Sequence, residues 1–476
     1  YGDDKRNLYE EDIYVGYRYF ETFAQEKVLY PFGFGMSYTS FKRELDKMEE
    51  TEEVITFRVK VTNTGEHKGK EVVQIYCQAP QGKLGKPVRI LCGFAKTKCL
   101  DPRESVQVSV TCPRYLLASY DDSGVTGHRF CYVMEKGTYS FYIGGDVRQA
   151  SYVASIVCED LIIMDTLKEA MAPAISYRRM KPVAGENGRF RISYEEVPRS
   201  TVDAMQRRLE NLPQEIAYTG DKGWKLADVS DGKVSMEEFI AQLSNEDLCC
   251  IVRGEGMCSP KVTPGTAGAF GGVTKRLADF GIPLGCCADG PSGIRMDSGN
   301  YAFAMPNGTC LACSFNEELL RELYEFEGME LRKNKIDTLL GPGMNLHRNP
   351  LNGRNFEYFS EDPLVTGKMA VAQLKGMHKY GVTGTIKHFA CNNQEHNRSV
   401  AEAVVSERAL REIYLKGFEI AVKEGEAYCI MSTYGPINGF WTASNYDLLT
   451  TILRNEWGFK GFVMTDWWAK GNDPGE

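Results

Sequence analysis

The sequence contains no uninterrupted apolar run of about eighteen residues, so it offers no candidate for a membrane-spanning helix. It also lacks a basic block. Lys and Arg number 56 against 64 Asp and Glu, a net charge of −8, which argues against a nucleic-acid binder. Its start, Tyr1-Gly2-Asp3-Asp4-Lys5-Arg6, shows no initiator Met and no basic-then-apolar leader, and reads as a piece of a longer polypeptide. Several chemistries have no motif to carry them. There is no Walker loop, no His-Glu-x-x-His, no Gly-x-Ser-x-Gly, and no Gly-x-Gly-x-x-Gly opening a helix after a strand. A zinc site is also unsupported, because the single Cys-x-x-Cys, Cys310-Leu311-Ala312-Cys313, has no second ligand pair at matching spacing. Neither a metal nor a cofactor is expected.

What is present is an ordinary globular composition of 476 residues, 43% hydrophobic and 25% charged. At about 150 residues per domain this length predicts roughly three domains. The 15 Cys are odd in number and lie mostly in apolar runs such as Cys429-Ile430-Met431. That usage predicts buried reduced thiols and a cytoplasmic location rather than a disulfide framework.

Residues 38–150 alternate apolar and polar positions. Ile55, Phe57, Val59 and Val61 form one such run, Val106, Val108 and Val110 a second, and Tyr139, Phe141 and Ile143 a third. Separated by turn signals such as Asn63-Thr64-Gly65, they predict an antiparallel β-sandwich. Residues 151–235 read as a linker with some helix. From about 236, short apolar strands alternate with amphipathic helices. Leu319, Leu320, Leu323, Phe326 and Leu331 share helical spacing, as do Leu410, Ile413, Tyr414, Phe418 and Ala421. Strands are expected at 282–288, 337–340, 384–389, 428–432 and 461–465. Repeated β-then-α units imply a parallel sheet, a (β/α) barrel ahead of a doubly wound sheet. The fold class is therefore α/β plus all-β.

The polar residues favour the barrel, whose strands all end on one face. The expected strands lead to Asp289, to His347 and Arg348, to Lys387 and His388, to Tyr434, and to Asp466-Trp467-Trp468. Four of the six His, namely His347, His378, His388 and His396, fall between 347 and 396. Carboxylates at Asp289 and Asp466, cations at Arg295, Arg354, Lys387 and Arg398, and aromatic platforms together suit a polyhydroxylated ligand. They point to glycoside chemistry.

The motifs resemble glycoside hydrolase family 3. They run Asp289-Gly-Pro-Ser-Gly-Ile-Arg295, Leu340-Gly-Pro-Gly-Met-Asn345, Gly353-Arg-Asn-Phe-Glu357, Ser360-Glu-Asp-Pro363, Lys387-His-Phe389, Asn392-Asn-Gln-Glu395 with Arg398, Met431-Ser-Thr-Tyr434, and Met464-Thr-Asp-Trp467. Gly16-Tyr-Arg-Tyr-Phe20 and Tyr30-Pro-Phe-Gly-Phe-Gly-Met-Ser-Tyr38 look like the family's entry into a fibronectin type III-like domain. The resemblance implies an inverted domain order. Residues 1–37 would be the tail of an absent α/β sandwich domain and an entry segment, and 38–150 a fibronectin type III-like sandwich. Residues 236–476 would be a TIM-like catalytic barrel, incomplete at its C-terminal end.

It further implies a retaining β-glucosidase in which Asp466 is the nucleophile. Asp289, Arg295, Arg354, Lys387, His388, Arg398, Met431, Tyr434 and Trp467 would bind the substrate, a β-glucoside or oligosaccharide. Nearby cations are expected to keep Asp466 charged. The acid/base Glu of the β-glucosidase branch would come from the α/β sandwich, in the same protein or a second chain. The Asp-His acid of the N-acetylglucosaminidase branch is not matched by Lys387–Arg398. The alternatives are a non-hydrolytic sugar-binding or assembly subunit, or specificity for a xyloside or N-acetylglucosaminide. Neither nucleic acid nor membrane is an expected partner; self-association is left open.

Overall fold

The computed structural model describes residues 3–471. The alternating segments form a β-sandwich. One sheet pairs Phe41–Glu50, Val54–Asn63 and Ser105–Pro113; the other pairs Ser151–Cys158, Gly137–Gly144, Val72–Gln78 and Ile90–Lys96, all antiparallel. Period-2 patterning buries one face of each strand. Ile55, Phe57, Val59 and Val61 are fully enclosed, and Tyr139 and Phe141 meet them from the opposite sheet. Phe57 and Phe141 lie 5.0 Å apart across the core.

The strands do not stop at residue 150. Ser151–Cys158 pairs with Gly137–Gly144, and Ile162–Thr166 pairs with Cys131–Met134. The rest of the stretch read as a linker contains the hairpin Arg178–Ala184 with Phe190–Glu196, and only short helices at Ala204–Glu210 and Leu226–Ser230. This hairpin is a structural part of the fold. Arg179, 2% exposed, reaches from it to Asp122 in the sandwich with two hydrogen bonds of 2.7 and 2.9 Å.

The second half is built on a six-stranded sheet. Leu284–Asp289, Thr338–Leu340, Thr383–Phe389, Cys429–Ser432 and Phe462–Met464 are parallel and adjacent in sequence order. A first strand, Gly268–Gly271, runs antiparallel to Leu284–Asp289. An antiparallel neighbour needs no long crossover, and a single short helix, Lys275–Asp279, fills the connection. The sequence Gly-Ala-Phe-Gly is too short and too small to register as a strand. The sheet curls, bringing Phe270 on its first strand to 5.0 Å from Phe462 on its last.

The helix Glu317–Lys333 buries Leu320, Tyr324, Glu327, Gly328 and Leu331. Leu319 and Phe326 of the expected stripe face outward instead. The helix turns its 320–324–327–331 face inward because it packs tightly on Pro363–His378. A Cβ at Gly376 would stand 2.4 Å from the Arg321 carbonyl. The second expected stripe, Leu410, Ile413, Tyr414, Phe418 and Ala421, is wholly buried. The N-terminal segment joins this core. Arg6–Leu8 pairs in parallel with Glu402–Val404, and Tyr9, Ile13, Tyr14 and Tyr17 are enclosed with the residues of the sheet.

Candidate functional site

Parallel strands aim their carboxyl ends the same way, and connecting loops leave the sheet there with polar residues that need not pack. A pocket of about 260 Å³ opens at that face. The ten residues assigned to catalysis and substrate binding all line it: Asp289, Arg295, Arg354, Lys387, His388, Arg398, Met431, Tyr434, Asp466 and Trp467. His347 and Arg348, to which the second expected strand leads, lie elsewhere: His347 stands beside Thr309, and Arg348 is taken up by Asn7 and Glu11 of the N-terminal segment.

Asp289 ends one strand and Lys387 lies near the end of another. The Lys387 ammonium donates to Asp289 Oδ1 at 3.0 Å. Burial alone would push the Asp289 carboxyl up, but Lys387, the Gly290 backbone amide and Arg295 outweigh it and hold it below its ordinary range. Arg295 stands 3.9 Å from Asp289 and 3.0 Å from Asp297, a pocket residue the motifs did not reveal.

Asp466 follows the last strand. Its Oδ1 accepts the Trp467 amide at 2.9 Å, and its Oδ2 lies 3.9 Å from His388 Nε2. Cations were expected to dominate here, yet burial wins and the carboxyl is raised. The Tyr434 hydroxyl, Lys387 and Arg354 oppose that shift only in part. Burial, together with the same carboxylate, pushes the Tyr434 phenol up to about 12. His388 is not one of the cations. It is 2% exposed, and burial together with Arg354, Lys387 and Arg398 drives its pKa far down, so the imidazole is neutral. Its Nδ1 lies 3.3 Å from both the Tyr358 hydroxyl and Asn345 Oδ1, which fix the ring.

The two arginines are braced from behind. Arg398 donates to Glu395 at 2.9 Å, with its guanidinium over the Tyr434 ring at 5.1 Å. Arg354 donates to Glu357 and lies 4.0 Å from Glu395. Glu395 is thus a brace, also accepting from Asn392 at 2.8 Å. Met431, with Leu340, Ala267 and Cys287, forms an apolar floor against which Trp467 packs. Met257, Thr266, Asp297 and Trp468 line the pocket as well; sequence reasoning missed the first three, which come from loops of no strong pattern, and gave Trp468 no role. Among the described residues no group of three or more His, Cys, Asp or Glu is placed to hold a metal ion.

Partly buried carboxylates beside guanidinium, ammonium and aromatic groups thus line a pocket at the strand ends of a curled parallel sheet, the arrangement of a barrel-type protein. The profile of the glycosyl hydrolase family 3 N-terminal domain matches residues 221–472, and that of the fibronectin type III-like domain matches 71–147. The first match covers more than half of the chain, which belongs to glycosyl hydrolase family 3. A β-glucosidase of Ruminococcus albus is 56% identical over 469 residues, 98% of this chain and 49% of its own. β-Glucosidase A of Butyrivibrio fibrisolvens is 39% identical over 514 residues, 98% of this chain and 60% of its own. The crystal structure of a β-glucosidase from Paenibacillus barengoltzii superposes with a TM-score of 0.97 at 57% identity, over 99% of this chain and 52% of that one. The chain thus spans about half the length of these relatives. No helix among the described residues is long and apolar enough to cross a membrane.

Proposed function

We propose that this chain carries the sugar-binding half of a retaining β-glucosidase, which releases glucose from the non-reducing end of β-glucosides. The observation that carries this reading is Asp466. Its carboxylate lies in a pocket with its backbone side tied to the Trp467 amide and its other oxygen turned toward neutral His388. In a retaining mechanism such a carboxylate attacks the anomeric carbon and the leaving-group oxygen departs with a proton. The covalent glycosyl-enzyme is then hydrolysed. Asp289, with Lys387 beside it, hydrogen-bonds sugar hydroxyls. Arg295, Arg354 and Arg398 supply the other polar contacts, and Met431, Tyr434 and Trp467 supply the walls.

The proton donor is proposed to come from an α/β sandwich segment outside this chain. Among the described residues the carboxyls lining the pocket are Asp289, Asp297 and Asp466, and the first two are committed to Lys387 and Arg295. A cytoplasmic location is proposed as well, supported by all fifteen Cys being unbridged.

The test is Asp466→Ala in the enzyme joined to its acid-bearing segment. Hydrolysis of an aryl β-glucoside should fall by about 10⁴-fold or more. Azide should restore turnover and give a glucosyl azide of inverted anomeric configuration. Near-native activity without azide would remove Asp466 from the role and favour a sugar-binding subunit.

A further inference from the structure

The two sheets of the sandwich meet along edge strands, Ile90–Lys96 in the four-stranded sheet and Ser105–Pro113 in the three-stranded one. An edge strand is where a sandwich can part, because ladder hydrogen bonds hold it on one side only. Two thiols face each other across this seam. Cys92 and Cys112 are fully enclosed, and the Cys112 Sγ donates to the Cys92 Sγ at 3.3 Å. Two features of the backbone bring them together. The pairing with Val72–Gln78 skips Cys92, since Ile75 lies opposite Gly93 and Tyr76 opposite Leu91. Such a bulge frees the extra residue from the ladder, and Cys92 enters the sandwich core. Gly93 then lets the sheets close up. A Cβ there would stand 2.9 Å from the Cys112 Sγ and 3.0 Å from the Thr111 carbonyl. Each Sγ turns about its own Cα–Cβ bond, the motion that closes the gap to the bonded distance of about 2.05 Å. Among the described residues no other two cysteines share a hydrogen bond between their sulfurs.

We propose that Cys92 and Cys112 are a latent disulfide that staples the open edge of the sandwich, closed by small-molecule disulfides and open in a reducing cytoplasm. The Cys112 thiol loses its proton, and its thiolate attacks one sulfur of the oxidant. The oxidant's S–S bond breaks, and the released thiolate takes up that proton. The Cys92 thiolate then attacks the Cys112 sulfur of the mixed disulfide. The intersheet bond forms, and a second small thiol leaves with the Cys92 proton. Two protein thiols and one disulfide thus become one protein disulfide and two thiols. Burial, with Cys112 beside it, holds the Cys92 thiol well above its ordinary range, so the folded pair contains little thiolate. Exchange is therefore slow in the closed sandwich and fast while the edge strands are apart during folding. The proposal stands whether or not the pocket takes a β-glucoside.

The test unfolds the enzyme joined to its acid-bearing segment in urea and refolds it in oxidising or fully reducing glutathione buffer. Free thiols are alkylated, and unreduced peptides are mapped by mass spectrometry. The oxidised sample should carry a peptide pair joining Cys92 to Cys112, two hydrogens lighter than the separate peptides. Its Tm should stand about 5–10 °C above that of the reduced sample, and dithiothreitol should remove both differences. Cys112→Ala, whatever its own Tm, should lose the Tm response to oxidant. Glucose affinity should be the same in both redox states. Both cysteines alkylated after oxidative refolding would overturn the proposal, as would either of them bonded to Cys77 or another cysteine. A Tm unchanged by the bond, or a response that survives in Cys112→Ala, would overturn it as well.

Discussion

Arg179 and Lys387 are both buried cations, 2% and 4% exposed, but they sit in opposite kinds of surroundings. Arg179 lies in the seam where the sandwich meets the second half of the molecule. Its guanidinium is taken up by Asp122 on two nitrogens and by Glu195 at 2.9 Å, with Asp12 3.9 Å away. Its neighbours are closed in the same way. Arg408 donates to the carbonyls of Leu84 and Gly85, and Arg411 joins Glu407 and Glu456. Lys387 has one carboxylate partner, Asp289, whose side chain is 39% exposed toward the pocket. A buried charge whose main partner is equally buried, as the Asp122 side chain is at 3% exposure, holds a structure together. One whose partner stays open to solvent remains available to a ligand.

Breaking a charge in each place sharpens that contrast. Arg179→Met leaves Asp122 buried without its partner and should cost about 3–5 kcal/mol of stability, read as a large fall in Tm, with glucose affinity unchanged. The contrast would fail if glucose binding weakened in step with Tm. Asp289→Asn should do the reverse. Losing a charge-assisted hydrogen bond to a sugar hydroxyl should weaken glucose binding about 10- to 100-fold. Asn keeps an acceptor for the buried Lys387 ammonium, so Tm should fall less than in Arg179→Met. An unchanged inhibition constant for glucose would remove Asp289 from sugar binding.

The smallest effect is expected at Tyr434. Its hydroxyl favours the charged form of Asp466, so Tyr434→Phe should raise the carboxyl further. A raised acid needs a higher pH to ionise, so the acid limb of kcat/KM should move to higher pH. The expected variant signature is activity lost at low pH and largely kept above the limb. A limb shifted to lower pH would contradict the electrostatic account.

The same contrast explains what was legible in the sequence. The pocket could be read because its residues follow apolar strands, where a charged or aromatic side chain has no packing reason to be. Asp289, Lys387 and Asp466 each stand at such an end, and the structure gathers them. The seam could not be read. Arg179 sits in a stretch of charged residues, Asp122 in a turn, and Arg408 and Arg411 on a helix, where each alone resembles a solvated charge. Only the tertiary fold brings them together. The helix Pro363–His378 was equally silent, since it is buried on nearly every side and shows no apolar stripe to count. Cations alone do not describe the pocket's electrostatics: burial moves the Asp466 carboxyl up against them and moves the His388 imidazole down.

The central claim is that Asp466 forms the bond to the sugar, and covalent trapping tests it most directly. The enzyme joined to its acid-bearing segment is incubated with 2,4-dinitrophenyl 2-deoxy-2-fluoro-β-glucoside. Its activated leaving group speeds formation of the glycosyl-enzyme, and its fluorine slows the breakdown. Peptide mapping by mass spectrometry then locates the label. The account predicts one fluoroglucosyl group, carried by the peptide containing Asp466 and absent from Asp466→Ala. A label on any other carboxylate, Asp289 or Glu395 included, would contradict it.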